Sequence, residues 1–116
     1  MSYERWFSTK LRFVVMVEPT GGQTLNECVF VLRASNFDSA FDRAISIGEA
    51  SQKEYRNAYD ERVFWRFMEV VSLDVIPFED LDGREVYSEL VHLGEEKLIL
   101  FGTEFNPKSS KPVQTI

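Results

Sequence analysis

The sequence predicts an α+β domain in which a mainly antiparallel sheet, in the order β-β-α-β-β, carries one long helix packed on one face. Three observations lead to this fold class. Apolar and polar residues alternate over two long segments near the N-terminus, and a period of two is typical of β-strands. One amphipathic segment with helical spacing follows them. A third long segment, rich in valine and aromatic residues, comes after the helix and favours another strand.

The first two strands are predicted over Trp6–Glu18 and Leu25–Ala34. Within the first strand the basic residues Lys10 and Arg12 fall on one side, together with several apolar residues. Pro19–Gly22 separates the two strands, and its proline and glycines are typical of a turn. The two segments therefore predict a long β-hairpin.

The helix is predicted to begin after Ser35 or Asn36, either of which can cap its N-terminus. Ser35 and Asp38 have the spacing of a capping box, with aspartate in place of the usual glutamate. The helix is expected to fray near Tyr55–Asn57. Its apolar side carries three small residues that would allow a close approach to the sheet: Ala40, Ala44 and Gly48.

The third long strand is predicted over Arg62–Ile76, where Pro77 ends it. A right-handed helical crossover from the second strand places this strand beside the first, in the spatial order 2-1-3. Further along, Glu85–Leu93 fits either a fourth strand or a short helix, and Lys97–Phe101 is a candidate fifth strand. We expect one domain over residues 1–105 and a flexible C-terminal tail over residues 106–116.

Composition narrows the classes of function. The net charge of −6 and the pI near 4.8 disfavour nucleic-acid binding, because an acidic surface repels phosphates. The apolar runs are too short to span a membrane. A single cysteine, Cys28, excludes an intrachain disulfide and a multi-cysteine zinc site. The chain does not open with a basic segment followed by an apolar run, so a cytoplasmic location is expected. No cofactor is expected.

One helix covers one face of such a sheet, and the other face is expected to be unusually apolar. An exposed apolar patch often marks a contact surface. Either the C-terminal segment folds over this face, or a second copy of the chain does, and the sequence supports both accounts. The partners expected are therefore a second copy, as a homodimer, or another protein. The predicted dimer face comprises Val14, Met16, Val29, Val31, Met68 and Val70.

Residues able to carry chemistry are few. His92 is the only histidine and lies in an apolar segment, and Cys28 lies within a strand, so both fit structural roles better than catalytic ones. Glu69 is expected on the inward side of its strand, where it either pairs with Lys10 or Arg66 or is turned outward by a bulge. The candidate ligand or partner contacts are Trp6, Lys10, Arg12, Trp65, Arg66 and Glu69.

Several short patterns resemble a known family. They are Trp6-Phe7-x-x-Lys10-Leu11-x-Phe13, Glu27…Leu32-x-Ala34…Phe37-x-x-Ala40, Ala44-x-x-x-Gly48…Tyr55-x-Asn57, Trp65-Arg66-Phe67-x-Glu69-Val70 and Gly83-x-Glu85-Val86-Tyr87-Ser88. Together they resemble the bacterial domain of unknown function family 4288 over Trp6 to Ser88. The resemblance implies a compact intracellular bacterial domain, and it supplies no catalytic residues.

Two functions follow as hypotheses. The first is a non-enzymatic interaction module that self-associates through its sheet, in one version an antitoxin- or immunity-like protein that blocks a basic partner. It accounts for the apolar second face and for the lack of a nucleophile, metal or phosphate motif. The alternative is a small-molecule binder or an enzyme of unknown type, using an aromatic and charged cleft near Trp6, Trp65, Lys10, Arg66 and Glu69.

Overall fold

The computed structural model describes residues 3–94 and 98–114. The elements are β1 (Arg5–Glu18), β2 (Gln23–Ala34), α1 (Phe37–Ala50), β3 (Lys53–Arg56), β4 (Arg62–Ile76) and a short 3₁₀ helix (Pro107–Ser110). The strands form one antiparallel sheet in the order β2-β1-β4-β3, with α1 packed on one face. The predicted fold class and element order are confirmed. Placement of the third long strand beside the first is also correct.

β1 and β2 form a long hairpin with an unbroken register from Arg5 opposite Ala34 to Met16 opposite Gln23. Gly21 lies in the turn at a φ of +75°, a conformation that glycine adopts without steric cost. Its amide donates to the carbonyl of Val17 at 2.7 Å. The predicted hairpin is therefore present.

α1 begins at an asparagine cap. The Asn36 side chain accepts a hydrogen bond from the Ser39 amide at 2.8 Å, so the cap is Asn36 and the capping box expected at Ser35 is not formed. The helix ends early, because the Ser51 hydroxyl and amide both bond to the carbonyl of Ile47. The prediction that the helix frays near Tyr55–Asn57 is therefore wrong. The chain instead forms β3, whose backbone groups pair with the start of β4.

The core lies between α1 and the adjoining sheet face. Its largest buried side chains are Phe7, Leu11, Phe13 and Leu32, and the helix contributes Ala40 and Ala44. Small residues on α1 bring its backbone close to the sheet. At Gly48 the approach is closest, since a Cβ atom there would lie 2.6 Å from ring atoms of Phe67.

Two bulges change the alternation of β4. The register against β1 shifts between Lys10 and Leu11 and again between Arg12 and Phe13, leaving Val71 and Met68 as extra residues. Each bulge moves the following side chains to the other face of the sheet. Val70 consequently packs against the core, so its predicted place on the opposite face is wrong. Glu69 lies on the face away from the helix, whereas strict alternation along the strand predicted it on the inward side.

A buried hydroxyl accompanies the first of these bulges. Thr9 is fully buried on the helix side of β1, and its hydroxyl donates to the carbonyl of Ser72 at 2.8 Å. Ser72 directly follows the bulged residue Val71, where ladder pairing is interrupted. The hydrogen bond gives this polar side chain a partner in an otherwise apolar layer.

The chain after β4 does not add to the sheet in the regions described. Residues 85–93 and 98–101 form neither strand nor helix, so the predicted fourth and fifth strands are wrong at these positions, and Lys97 lies outside the described residues. β3 supplies the fourth strand instead. Within 3–94 and 98–114, no helix has the length and apolar character needed to cross a membrane. The domain boundary at residue 105 stays a prediction.

Candidate interaction surface

The face of the sheet opposite α1, called here the second face, is the candidate functional surface. The antiparallel register fixes its membership, because Lys10 lies opposite Val29 and Arg12 opposite Glu27. Even-numbered residues of β1 therefore share the second face with odd-numbered residues of β2. Residues 77–89, called here the strap, contact the half of this face that is nearest to Trp6.

Lys10 anchors the strap. Its Nζ donates to the hydroxyl of Tyr87 and to the carboxylate of Glu89, at 2.7 Å in each case. The ammonium also lies 5.0 Å from the centre of the Tyr87 ring, and 3.4 Å from Glu27 across the sheet. The hydrogen bonds that Lys10 donates to Glu89 and Tyr87 raise the pKa of Lys10. Conversely, the hydrogen bond from Lys10 lowers the pKa of Glu89.

A second contact holds the beginning of the strap. Arg33 on β2 lies 3.3 Å from the carboxylate of Glu79 and stacks 5.1 Å from the Trp6 ring centre. The Tyr3 hydroxyl also donates to Glu79, and this hydrogen bond raises the pKa of Tyr3. Ser8, on the same face, is only 3% exposed. At this end of the second face, the C-terminal segment covers the sheet, which is one of the two arrangements expected from the sequence.

Apolar side chains elsewhere on the second face stay open to solvent: three lie towards the far end of the hairpin, and two lie on β2 opposite Lys10 and Ser8. We call Val14, Met16, Leu25, Val29 and Val31 the open patch. The three members on β2 are the most exposed, with Leu25 at 60%, Val29 at 41% and Val31 at 42% of their full accessibility. Val14 and Met16 on β1 are half-buried. Four of the six residues of the predicted dimer face therefore lie in this patch, while Met68 occupies a bulge and Val70 the core.

Charged side chains divide the open patch, because Glu27 lies between Leu25 and Val29 on β2 and pairs with Arg12 on β1. Arg12 contacts Glu69 at 2.5 Å and Glu27 at 3.8 Å. Glu69 has thus been turned outward by a bulge and pairs across the strands, although its partner is Arg12 and not Lys10 or Arg66. With Lys10 and Glu89, this cluster holds two cations and three carboxylates. Its net charge is negative, which does not favour an anionic ligand.

Two polar atoms of this region lack a hydrogen-bond partner among the residues described. They are Nε of Arg12 and Oγ of Ser72, both buried on the second face beside the bulges. The remaining Arg12 nitrogens are paired with Glu69 and Glu27. Burying these two atoms without a hydrogen bond costs free energy, and the bulges are the local cause of it.

The structure does not bring all the sequence-predicted contact residues together. Lys10, Arg12 and Glu69 share the charged cluster on the second face. Trp6 lies under Arg33 near one end of β1, and Arg66 lies opposite Val14 near the other. Trp65 is on the helix face, where its ring centre lies 6.0 Å from that of Phe13 and its Nε1 donates to the Tyr55 hydroxyl at 3.3 Å. A single cleft between the two tryptophans is therefore not formed.

Sequence reasoning missed the residues that fasten the strap, Glu79, Tyr87 and Glu89. Tyr87 and Glu89 lie in the segment interpreted as another strand or a short helix, and Glu79 lies before it, soon after Pro77. A signal was nevertheless present, because the strands carry unpaired basic residues and the segment after Pro77 is acidic. Within the parts of the chain described, no group of three histidine, cysteine, aspartate or glutamate side chains could hold a metal ion.

The ion pair at Lys10 predicts a measurable titration. Because the folded-state pKa of Glu89 is lowered, its charged form stabilises the strap above the ordinary carboxyl pKa, and this contribution is lost as the pH falls through the lowered value. We expect the Glu89 carboxyl carbon, followed by NMR, to titrate below its ordinary pKa and to return towards it in Lys10→Met. Arg33→Met, which removes contacts to Glu79 and Trp6 but none to Glu89, should leave the Glu89 midpoint low. Identical midpoints in the wild type and Lys10→Met would contradict the anchor.

Comparison with known proteins gives one family match. The family model described as "Domain of unknown function (DUF4288)" matches residues 6–88, which is most of the chain. The span begins at Trp6 in β1 and ends at Ser88 within the strap, so it includes the whole sheet, the helix and most of the strap. The resemblance found in the sequence is confirmed. No curated protein and no solved structure matched the chain.

Proposed function

The chain belongs to the DUF4288 family, whose description names no activity, and we propose that it is a non-enzymatic interaction module that self-associates through the second face of its sheet. The observation that carries the proposal is the open patch. An antiparallel sheet can leave one face to water, but that face is then normally polar. Here three apolar side chains of one strand, Leu25, Val29 and Val31, share this face at 41% exposure or more, with Glu27 between the first two.

The surroundings of the patch also suit a contact between identical surfaces. A two-fold dimer places the same patch on both partners, so its charges must be complementary to themselves. Arg12 and Glu27 lie 3.8 Å apart beside the patch, and Arg62 on β4 lies 2.6 Å from Glu54 and 3.7 Å from Glu18. Pairing within one chain reduces the repulsion that a second copy meets to one excess carboxylate in each of these two clusters.

A narrower version of the proposal gives the same surface a basic protein partner, in an antitoxin- or immunity-like role. The net charge of −6 is its support. Charge of this kind steers association but does not select a partner. The open patch is apolar, so self-association has the more specific support.

Sedimentation equilibrium of three proteins tests the proposal. We expect the wild type to be in a monomer–dimer equilibrium and Val31→Lys to weaken dimerisation more than tenfold, because a lysine would be placed in the contact twice. Val75→Lys is the matched control, since Val75 is similarly exposed at 45% but lies on the helix face opposite Phe7. It should associate like the wild type. A wild type that stays monomeric at all concentrations, or a Val31→Lys variant that dimerises normally, would contradict the proposal.

A further inference from the structure

The two edges of the sheet differ in how they are protected. β3 pairs only with Arg62–Trp65, so the rest of the outer edge of β4 has no neighbouring strand in the described chain. That edge carries two bulges, and the side chain of Gln52 accepts a hydrogen bond from the Phe67 amide at 3.1 Å. Bulges and side-chain caps discourage the pairing of an edge with another strand.

The outer edge of β2 lacks these protections. Its twelve residues keep one regular register against β1, with no bulge and no proline, and no strand of the described chain pairs with its other side. Such an edge presents a row of unpaired amides and carbonyls that can accept a further strand. The most exposed apolar side chains of the second face, Leu25, Val29 and Val31, belong to the same strand.

A segment suited to this edge lies beyond the strap. Residues 98–101 read Leu-Ile-Leu-Phe, and we call them the arm. Leu98 is 84% exposed and Phe101 is fully exposed. Gly102, at a φ of +94°, follows the arm and lets the chain turn away after it. Four consecutive apolar residues without charge or proline favour a strand that needs an edge to pair with.

We propose that the arm of each chain adds as a strand to the outer edge of β2 in a second copy, so that the two copies exchange arms. Addition of an extended segment to a sheet edge supplies main-chain hydrogen bonds, and alternate side chains reach the neighbouring face. On the second face these side chains would meet Leu25, Val29 and Val31. The inference rests on the proposed self-association and specifies the segment and the edge that form the contact.

The amount of exposed surface favours a second copy as the occupant. The chain has 9686 Å² of accessible surface, whereas a compact monomer of 13.5 kDa exposes about 6500 Å². Its radius of gyration is 18.8 Å, against about 13 Å for a compact chain of this length. A standard interface buries about 800 Å² on each partner. The excess surface is therefore more than enough for a dimer.

The chain could also reach its own β2 edge. From Glu89, which Lys10 holds, nine residues lead to Leu98 and can span about 30 Å. The structure nevertheless places the arm in solvent and not on its own edge. An intramolecular arrangement is accordingly one outcome that the experiment must separate from the exchange.

The test uses the full chain with Ile99→Pro, because proline removes an amide and cannot join the centre of a paired strand. Glu104→Pro, outside the arm, is the matched control. Neither residue belongs to the core cluster, a helix or a strand, so we expect both variants to fold like the wild type. Sedimentation equilibrium gives the association state. Hydrogen exchange measures the alternate β2 amides that point away from β1.

We expect the wild type and Glu104→Pro to dimerise with protected outward β2 amides, and Ile99→Pro to lose that protection and dimerise at least tenfold more weakly. If Ile99→Pro dimerises normally, the arm exchange is wrong while self-association through the sheet stands. If the wild type is monomeric but its outward β2 amides are protected in an Ile99-dependent way, the arm docks on its own chain and the exchange is overturned. If the wild type is monomeric and these amides are unprotected, both proposals fail.

Discussion

Leu11→Ala is expected to lower the free energy of unfolding by about 3–5 kcal/mol. Leu11 is completely buried at the centre of β1, the strand that pairs on both sides and faces α1. Truncation to alanine removes apolar contacts and leaves a cavity between the sheet and Ala40 and Ala44 of the helix. The residues flanking it are held by two neighbouring strands, so the site has little freedom to collapse.

Urea unfolding followed by far-UV circular dichroism measures this change. Leu90→Ala is the matched control, because Leu90 is fully exposed and the same atoms are removed. We expect the control to stay within about 0.5 kcal/mol of the wild type. Both variants must be compared at one protein concentration, since self-association adds to the apparent stability. Equal losses in the two variants would contradict the placement of the core.

Gly48→Ala should destabilise the protein by up to about 2 kcal/mol, although alanine favours a helix more than glycine does. The gain in helix propensity is about 1 kcal/mol. Against it stands the added methyl group, which would lie 2.6 Å from three ring atoms of Phe67, so the ring or the helix must move. Overpacking of this kind costs about 1–3 kcal/mol. The steric cost is expected to exceed the propensity gain because α1 lies so close to β4.

A double-mutant cycle separates the two contributions. In a Phe67→Leu background the ring is absent, and Gly48→Ala should become neutral or stabilising by up to about 1 kcal/mol. Ser46→Ala, at an exposed position of the same helix, adds no contact with the sheet. It removes only the bond that the Ser46 hydroxyl donates to the Asp42 carbonyl and should not destabilise. If Gly48→Ala stabilises the protein in both backgrounds, the close contact between α1 and Phe67 is not present in solution.

Much of the fold could be predicted from local patterns. The hairpin, the helix and β4 each have a strong period, and β4 was placed at its observed bounds, Arg62–Ile76. The bulges at Met68 and Val71 could not be predicted, because both are apolar residues in an apolar run and each shifts the alternation by one position. They alone account for the misplacement of Glu69 and Val70. β3 has only four exposed residues, which give no periodic signal.

The candidate surface was predicted in outline and missed in detail. An apolar second face follows from having one helix and a sheet with two apolar sides, and Val14, Met16, Val29 and Val31 were assigned to it correctly. The strap was not predicted, because its two main contacts are side-chain interactions across 46 to 79 positions of the chain, which no local pattern reports. Trp6 and Trp65 were grouped as aromatic neighbours, whereas the strand alternation puts them on opposite faces.

Isotope-filtered NOESY on an equimolar mixture of labelled and unlabelled chains tests most directly whether the open patch contacts a second copy. The labelled methyl groups of Val29 and Val31 should show cross-peaks to protons of the unlabelled chain. The methyl groups of Val75, on the helix face, should show none. A spectrum in which Val29 and Val31 contact only their own chain, at concentrations where the sample is dimeric, would contradict the account.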